Sequence, residues 1–311
     1  MNSMLRKAKL GSQPGARPPV AVELSPQGVL AAASPGVGKP PVYAFEPLPA
    51  GALVPSIDEI NLQAPEVVAN AIRAALGQVS PRTRALTLVL PDTLVRVFVL
   101  DFDSLPGKAA EAIPVFRFRL RKMVPFDVEH AGVSYQVLVE SKNECKALAA
   151  VIPGPILAEY EAVVRQAGFE PGAVLPASLA ALGAIDSDDP ILTANLGALA
   201  LTTSITHGQD LLLYRTLDLP EDPELRLQEV QRGIAVAAAY YEDKLGVRPQ
   251  LLYYAGIGAG GNSAAEDFAL WINEPELTVA DLAPRPETGA ATPLGNLVSL
   301  AGAVGALAGA A

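Results

Sequence analysis

Apolar residues along this chain follow two periods, one of strands and one of helices. Residues 191–217, ILTANLGALALTTSITHGQDLLLYRTL, are short apolar runs broken at Leu196-Gly197-Ala198 and Gly208-Gln209-Asp210. The pattern predicts three strands joined by two tight turns. A fainter version lies near the start: a strand at 20–24, a turn at 25–28, then strands at 29–33 and 42–45. Two such meanders half a chain apart imply a duplicated architecture with a cleft between two lobes.

Between and after the meanders the period lengthens. Val67, Val68, Ala71, Ile72, Ala75 and Leu76 predict a helix over 65–76, with Gly77 just past its end. Strands are expected at 84–90 and 94–102. A helix is expected at 107–123, with Pro114 as a kink or break. Residues 133–139 alternate as VSYQVLV, and 146–152 read as a buried strand. A helix at 154–166 has Pro155 in its first turn and Gly168 beyond its end. A short helix follows at 176–185. The polar run Ser187-Asp188-Asp189-Pro190 is the candidate lobe boundary. Beyond the second meander come a long helix at 223–245 stopped by Gly246, a strand at 251–255, a helix at 263–272 and a strand at 277–281. Alternating strands and helices predict an α/β fold.

Composition sharpens this picture. The 311 residues suffice for two domains or one bilobal domain. Charged residues are 18% of the chain against a usual share of about 25%, and aromatics only 5%, so the core should be built of small residues. The net charge is −10, and no basic stripe is interleaved with aromatics, which argues against a nucleic-acid partner. One local basic cluster stands out, Arg117-Phe118-Arg119-Leu120-Arg121-Lys122. Cys145 is the sole cysteine, so no intramolecular disulfide can form. Residues 1–19 read as a disordered lead-in whose basic start lacks the apolar run of a signal peptide. Residues 294–311 are uncharged, Gly/Ala-rich and weakly hydrophobic, and read as a buried terminal helix rather than a membrane span.

Motifs for chemistry are few. Gly256-Ile257-Gly258-Ala259-Gly260-Gly261 fits G-x-G-x-x-G between a strand and a helix, with Asp281 on the next strand. Too little chain follows for the remaining units of a dinucleotide fold, so a packing turn or a wall against a base and sugar is the better reading. Gly36-Val37-Gly38-Lys39 has the wrong spacing for a phosphate loop, and Pro40-Pro41 forbids a helix start there. His130 and His207 stand far apart without metal-ligand spacing, and Cys145 has no neighbouring base. Asp101, Asp103, Asp186, Asp188 and Asp189 read as solvated turn acids.

Taken together these pieces resemble the superfamily of actin, the heat-shock chaperones and the sugar kinases. Within it the chain is similar to the PilM family, actin-like cytoplasmic proteins of type IV pilus assembly and relatives of the cell-division protein FtsA. The resemblance runs from about residue 19 to 311. Its most specific part is LVLPDTLVRVFVLDF, the Arg-rich helix, Val124-Pro125-Phe126-Asp127-Val128-Glu129 and VSYQVL, followed by ALAAVIPGPILAEYEAVVRQAGFEPGAVLPASLAAL. It implies an actin-like bilobal α/β fold. Residues 20–188 would form the first lobe, with a small inserted subdomain at about 91–153, and 189–311 the second.

The resemblance also implies where a nucleotide would sit. The superfamily's first phosphate loop begins Asp-x-Gly; here Glu23 takes the Asp position, Ser25 the Gly position, and the usual Lys is missing at Leu30-Ala31. Its second loop repeats Asp-x-Gly and here reads Asn195-Leu196-Gly197. The adenosine loop keeps its form in Gly256, Gly258, Gly260 and Gly261. Asn195 carries no charge to organise Mg²⁺, whose oxygen shell relies on carboxylates, and phosphoryl transfer depends on such positioning. Efficient ATP hydrolysis is therefore not expected, and no catalytic residue is assigned. Binding of ATP with Mg²⁺ stays open beside a degenerate cleft kept as scaffold. PilM-like proteins accept the cytoplasmic tail of the membrane protein PilN between the first lobe and the small subdomain. The resemblance assigns that contact to Phe116, Arg119, Arg121, Pro125 and Phe126, and places the protein in the cytoplasm, indirectly attached to the inner membrane beside other platform or motor proteins. A kinase-like enzyme and an FtsA-like filament former are the alternatives.

Overall fold

A computed structural model of the chain describes residues 17–34, 36, 39–141, 144–208, 210–256, 263–283 and 299–308. Strands β1 (Val20–Ser25) and β2 (Gly28–Ala33) form a hairpin through the two-residue loop Pro26-Gln27, and β3 (Val42–Pro47) pairs antiparallel to β2. Gly28 is obligatory here, because a Cβ would overlap the Glu46 carbonyl and the Phe45 ring. Helix α1 (Pro65–Val79) crosses back to β4 (Ala85–Leu90), parallel to β1, and β8 (Glu170–Pro176) lies parallel to β4. The sheet order is β3-β2-β1-β4-β8.

The second sheet repeats this plan. Strands β9 (Pro190–Leu196), β10 (Ala200–His207) and β11 (Asp210–Asp218) form the antiparallel meander. Helix α5 (Pro223–Leu245) leads to β12 (Leu251–Tyr254), and α6 (Ala264–Ile272) to β13 (Thr278–Asp281), both strands parallel to β9. The order β11-β10-β9-β12-β13 matches the first sheet strand for strand. The duplication read from two meanders is therefore a duplication of whole sheets.

A third, antiparallel sheet is inserted between β4 and α3 (Gly154–Gln166). It consists of β5 (Arg96–Phe102), β7 (Cys145–Ile152) and β6 (Gly132–Glu140), in that spatial order. Helix α2 (Ala109–Leu120) lies on it and places Ala112, Phe116 and Leu120 at the i, i+4, i+8 spacing of one buried face. Pro114 sits inside this helix without ending it.

Small residues let the first sheet be covered on both sides. Val20, Val22, Leu24 and Ala31 face the α1 side, while Ala21, Leu30 and Ala32 face the other. That second side is covered by α4 (Ala177–Ala181) and by α7 (Ala301–Ala308), the last described element of the chain. The expectation of a buried terminal helix is met for 301–308. Its place corrects the assignment of 189–311 to one lobe, because α7 packs on β1, β2 and β4 of the first sheet. The seam with α4 is set by glycine: a Cβ on Gly305 would overlap the Ala180 carbonyl, and one on Gly183 the Gly305 carbonyl.

One strand escapes the sequence patterning. β8 reads EPGAVLP, and its two prolines and glycine hide it. It is the edge strand next to β4, where proline is tolerated.

Gly305→Ala should therefore lower unfolding free energy by about 1–3 kcal/mol through overpacking, measured by urea denaturation. Gly77→Ala on α1, where nothing lies within 4 Å of the added Cβ, should be neutral or raise stability by up to about 1 kcal/mol.

Candidate functional site

The carboxyl ends of parallel strands are where open α/β sheets bind ligands, and here both sheets point those ends at one cleft. Its wall includes Glu23 and Ser25 from the β1 end, Asp92 after β4, Asn195 and Gly197 from the β9–β10 turn, and Gly256 after β12. Five residues named from distant parts of the sequence thus meet in one cavity. Gly258, Gly260 and Gly261 lie outside the described residues. Gly302 of α7, which the sequence did not single out, closes the floor.

The cavity's chemistry is acidic and cramped. Its volume is about 90 Å³, against roughly 300–1,000 Å³ for small-molecule sites. Among the described residues no Lys or Arg lines it. The Glu23 Oε2 is enclosed without a hydrogen-bond partner, and a Cβ on Gly302 would stand 2.5 Å from it. Burial, reinforced by the nearby Asp92, pushes the Glu23 pKa up to about 8, with the Ala303 N–H partly offsetting this. The carboxyl is therefore mostly protonated at neutral pH. The Ser25 hydroxyl is spent within its own hairpin, donating to the Gly28 carbonyl at 3.1 Å. Such a surface does not fit a metal-chelated triphosphate, which needs cations and free carboxylates.

Gly197 differs from the cleft's other glycines. Its φ, like theirs, is not positive, but a Cβ on it would meet only the Ala200 carbonyl, at 3.7 Å. Neither backbone nor packing demands glycine there, and what it leaves is open backbone facing the cavity. On its far side a second space of about 460 Å³ is walled by Leu196, Gly197, Ala198, Arg226, Phe268 and Trp271. The Arg226 guanidinium donates to the Ala198 carbonyl, bracing the turn. Gly256, in contrast, is a packing glycine: a Cβ would overlap the Tyr254 hydroxyl, whose ring stacks on Phe268 at 4.2 Å. Asp281 accepts the Ala265 N–H at 3.1 Å in the first turn of α6, where Ser263 and Glu266 form a capping box. It is an α6 cap, not the ribose acid of a dinucleotide site.

Asp92 was missed by sequence reasoning and is the most connected polar group of the cleft. It sits in a 3-10 turn (Asp92–Leu94) and accepts the Ser178 N–H at 2.9 Å and the Ser178 hydroxyl at 2.8 Å. Its other oxygen accepts the Thr202 hydroxyl of β10 at 3.1 Å. The Ser178 hydroxyl also meets the Tyr214 hydroxyl of β11 at 2.5 Å. One carboxylate thus joins the two sheets. Burial raises its pKa, while the three donors pull it down.

The residues expected to hold a partner are divided by the structure. Phe116 is fully buried, stacked on Tyr135 at 4.5 Å and edge-on to Phe102 at 5.0 Å. It cannot grip a peptide, which corrects that assignment; the helical period turns Phe118 outward instead, 74% exposed. Arg119 and Pro125 are exposed, Arg121 is paired with Glu129, and Phe126 is half-buried on the subdomain core. Arg117 is structural, donating to the Val128 and Ala131 carbonyls. Among the described residues no helix is long and apolar enough to cross a membrane.

Two repeated sheets facing one cleft, with a third sheet inserted in the first repeat, define an actin-like bilobal α/β protein. Among solved structures the chain is similar to one from a PilM–PilN type IV pilus biogenesis complex, at 19% identity and a TM-score of 0.69, over 95% of this chain and 99% of that one. It is also similar to the cytoplasmic domain of EpsL, an inner-membrane component of the Vibrio cholerae type II secretion system, at 13% identity and a TM-score of 0.49, over 86% and 89% of the two chains. A protein with an actin-like ATPase fold from Bacteroides thetaiotaomicron aligns at 10% identity and 0.48, over 84% and 90%. At these identities the likenesses speak for the fold alone. No family model matches the chain. No curated protein matches it in sequence either.

Two outcomes are expected. Asp92→Ala should cost about 3 kcal/mol by orphaning buried donors, and a double-mutant cycle with Thr202→Val should show coupling of about 1 kcal/mol between the lobes. The Glu23 pKa is higher folded than unfolded, so the stability it lends is complete below about 4.5 and lost as pH rises through about 8. Glu23→Gln should flatten that fall in a series of denaturation curves.

Proposed function

We propose that the protein is a non-hydrolysing actin-like scaffold of a type IV pilus or related secretion platform. In this reading it stands in the cytoplasm and is tied to the inner membrane by the tail of a PilN-like protein. The observation that carries the reading is the likeness to a chain of the PilM–PilN complex along 95% of the sequence. The cleft supports the non-catalytic half. Asn195 stands where a charge would organise Mg²⁺, Glu23 is largely neutral at neutral pH, and Asp92 is committed to three hydrogen bonds.

An extended tail would lie beside the small subdomain, against Pro125 and Phe126, with Arg119 exposed nearby. Peptides bound this way take affinity from backbone pairing and specificity from side-chain pockets. Arg121 contributes less, since Glu129 already neutralises it.

Calorimetric titration with the cytoplasmic tail of a PilN-like protein should show saturable binding, weakened about tenfold by Phe126→Ala, equivalent to about 1.4 kcal/mol. ATP turnover should stay at background in the wild type and in Glu23→Ala. Turnover that depends on Glu23, or a tail that does not bind, would overturn the reading.

A further inference from the structure

At the end of the first sheet opposite the cleft lies a concave site that the proposed function does not use. It is framed by the last turns of α1, the link into β4, and the turn from α3 to β8. Its volume is about 460 Å³, and its apolar floor comes from Leu76, Ala167 and Phe169. Three arginines line it, Arg73, Arg82 and Arg84, and no carboxylate does among the described residues.

Among the described residues these arginines have no carboxylate partner, in a chain of net charge −10. Several guanidinium groups elsewhere are paired with carboxylates, Arg96 with Asp218, Arg121 with Glu129, Arg232 with Glu229, and Arg248 with Glu242 and Glu276, while Arg117 and Arg226 are taken up by backbone carbonyls. Neighbouring Arg165 is shared by Glu161 and Glu170. Arg73 instead donates to the Asn70 side chain, Arg84 reaches the Gly168 carbonyl at 3.4 Å, and Arg82 has no partner among the described residues.

Helix ends explain only part of this charge. The carboxyl ends of α1 and α3 both come here, and each carries roughly half a negative charge. Together they offset about one cation of the three, which leaves about two. Other polar groups of the wall are partnered locally: the Ser80 N–H donates to Leu76, the Ser80 hydroxyl to Gly77, and the Thr83 hydroxyl oxygen accepts the Ala85 N–H. What the site offers is guanidinium forks above an apolar floor, and forks of this kind suit planar carboxylates.

We propose that this pocket docks an acidic segment of a partner protein, two carboxylates flanking an apolar side chain. Arg82 and Arg84 hold the carboxylates, and Phe169 and Ala167 receive the apolar group. The site is independent of the cleft and of the surface assigned to the PilN-like tail.

Fluorescence anisotropy of a labelled peptide of alternating Glu and Leu, added to the full chain, tests this. Binding should be saturable and weaken with salt, and should fall by at least about tenfold, or about 1.4 kcal/mol, in Arg82→Glu with Arg84→Glu. Thermal unfolding keeps that variant's fold under check. Arg119→Glu with Lys122→Glu, on the basic helix of the small subdomain, should leave binding unchanged. Absence of wild-type binding, an equal loss in the second variant, or displacement by free citrate at the peptide's own concentration would each overturn the proposal.

Discussion

The Asp92 carboxylate is the constraint on which the geometry of the cleft depends. It is buried with no cation beside it among the described residues, so its charge is tolerable only while Ser178 and Thr202 supply donors. Ser178 lies on α4 against the first sheet and Thr202 on β10 of the second, and their distances of 2.8–3.1 Å leave little freedom for the lobes to part. Leu211 and Tyr214 of the second meander reinforce the joint by entering the hydrophobic core of the first lobe. The ion pair between Arg96 and Asp218 adds a fork at the outer edge, but with Asp218 60% exposed its contribution is modest.

The cleft and its cover form one structure. Helix α7 reaches the sheet because Gly302 and Gly305 bring its backbone against Glu23 and Ala180. That closeness desolvates Glu23 and raises its pKa. Tight cover and a neutral acid therefore belong together.

Much of this was legible in the sequence. The three-strand meanders were clear because alternating apolar runs and Gly-containing turns survive without tertiary context, and so were α5, with Pro223 at its start, and α6, with its Ser263 cap. β8 was hidden by Pro171, Gly172 and Pro176, which a protected edge tolerates and a propensity argument does not. Asp92 could not be read because its partners lie far along the chain, at Ser178 and Thr202. Phe116 and Phe118 were indistinguishable by composition, although Ala112, Phe116 and Leu120 carry the helical spacing that separates inside from outside. The arginines at 73, 82 and 84, without a carboxylate partner among the described residues, were invisible for another reason: a missing counter-ion is a fact of three dimensions.

The position of α7 has a consequence for how the molecule is made. Leu30, Ala32 and Val89, which form one face of the first sheet, are covered by Ala303, Ala306 and Leu307. Almost the entire intervening chain must be synthesised before that cover exists. A nascent first lobe therefore emerges with an apolar face uncovered, and such surfaces are what chaperones recognise and what aggregates. Docking of α7 removes that exposed surface.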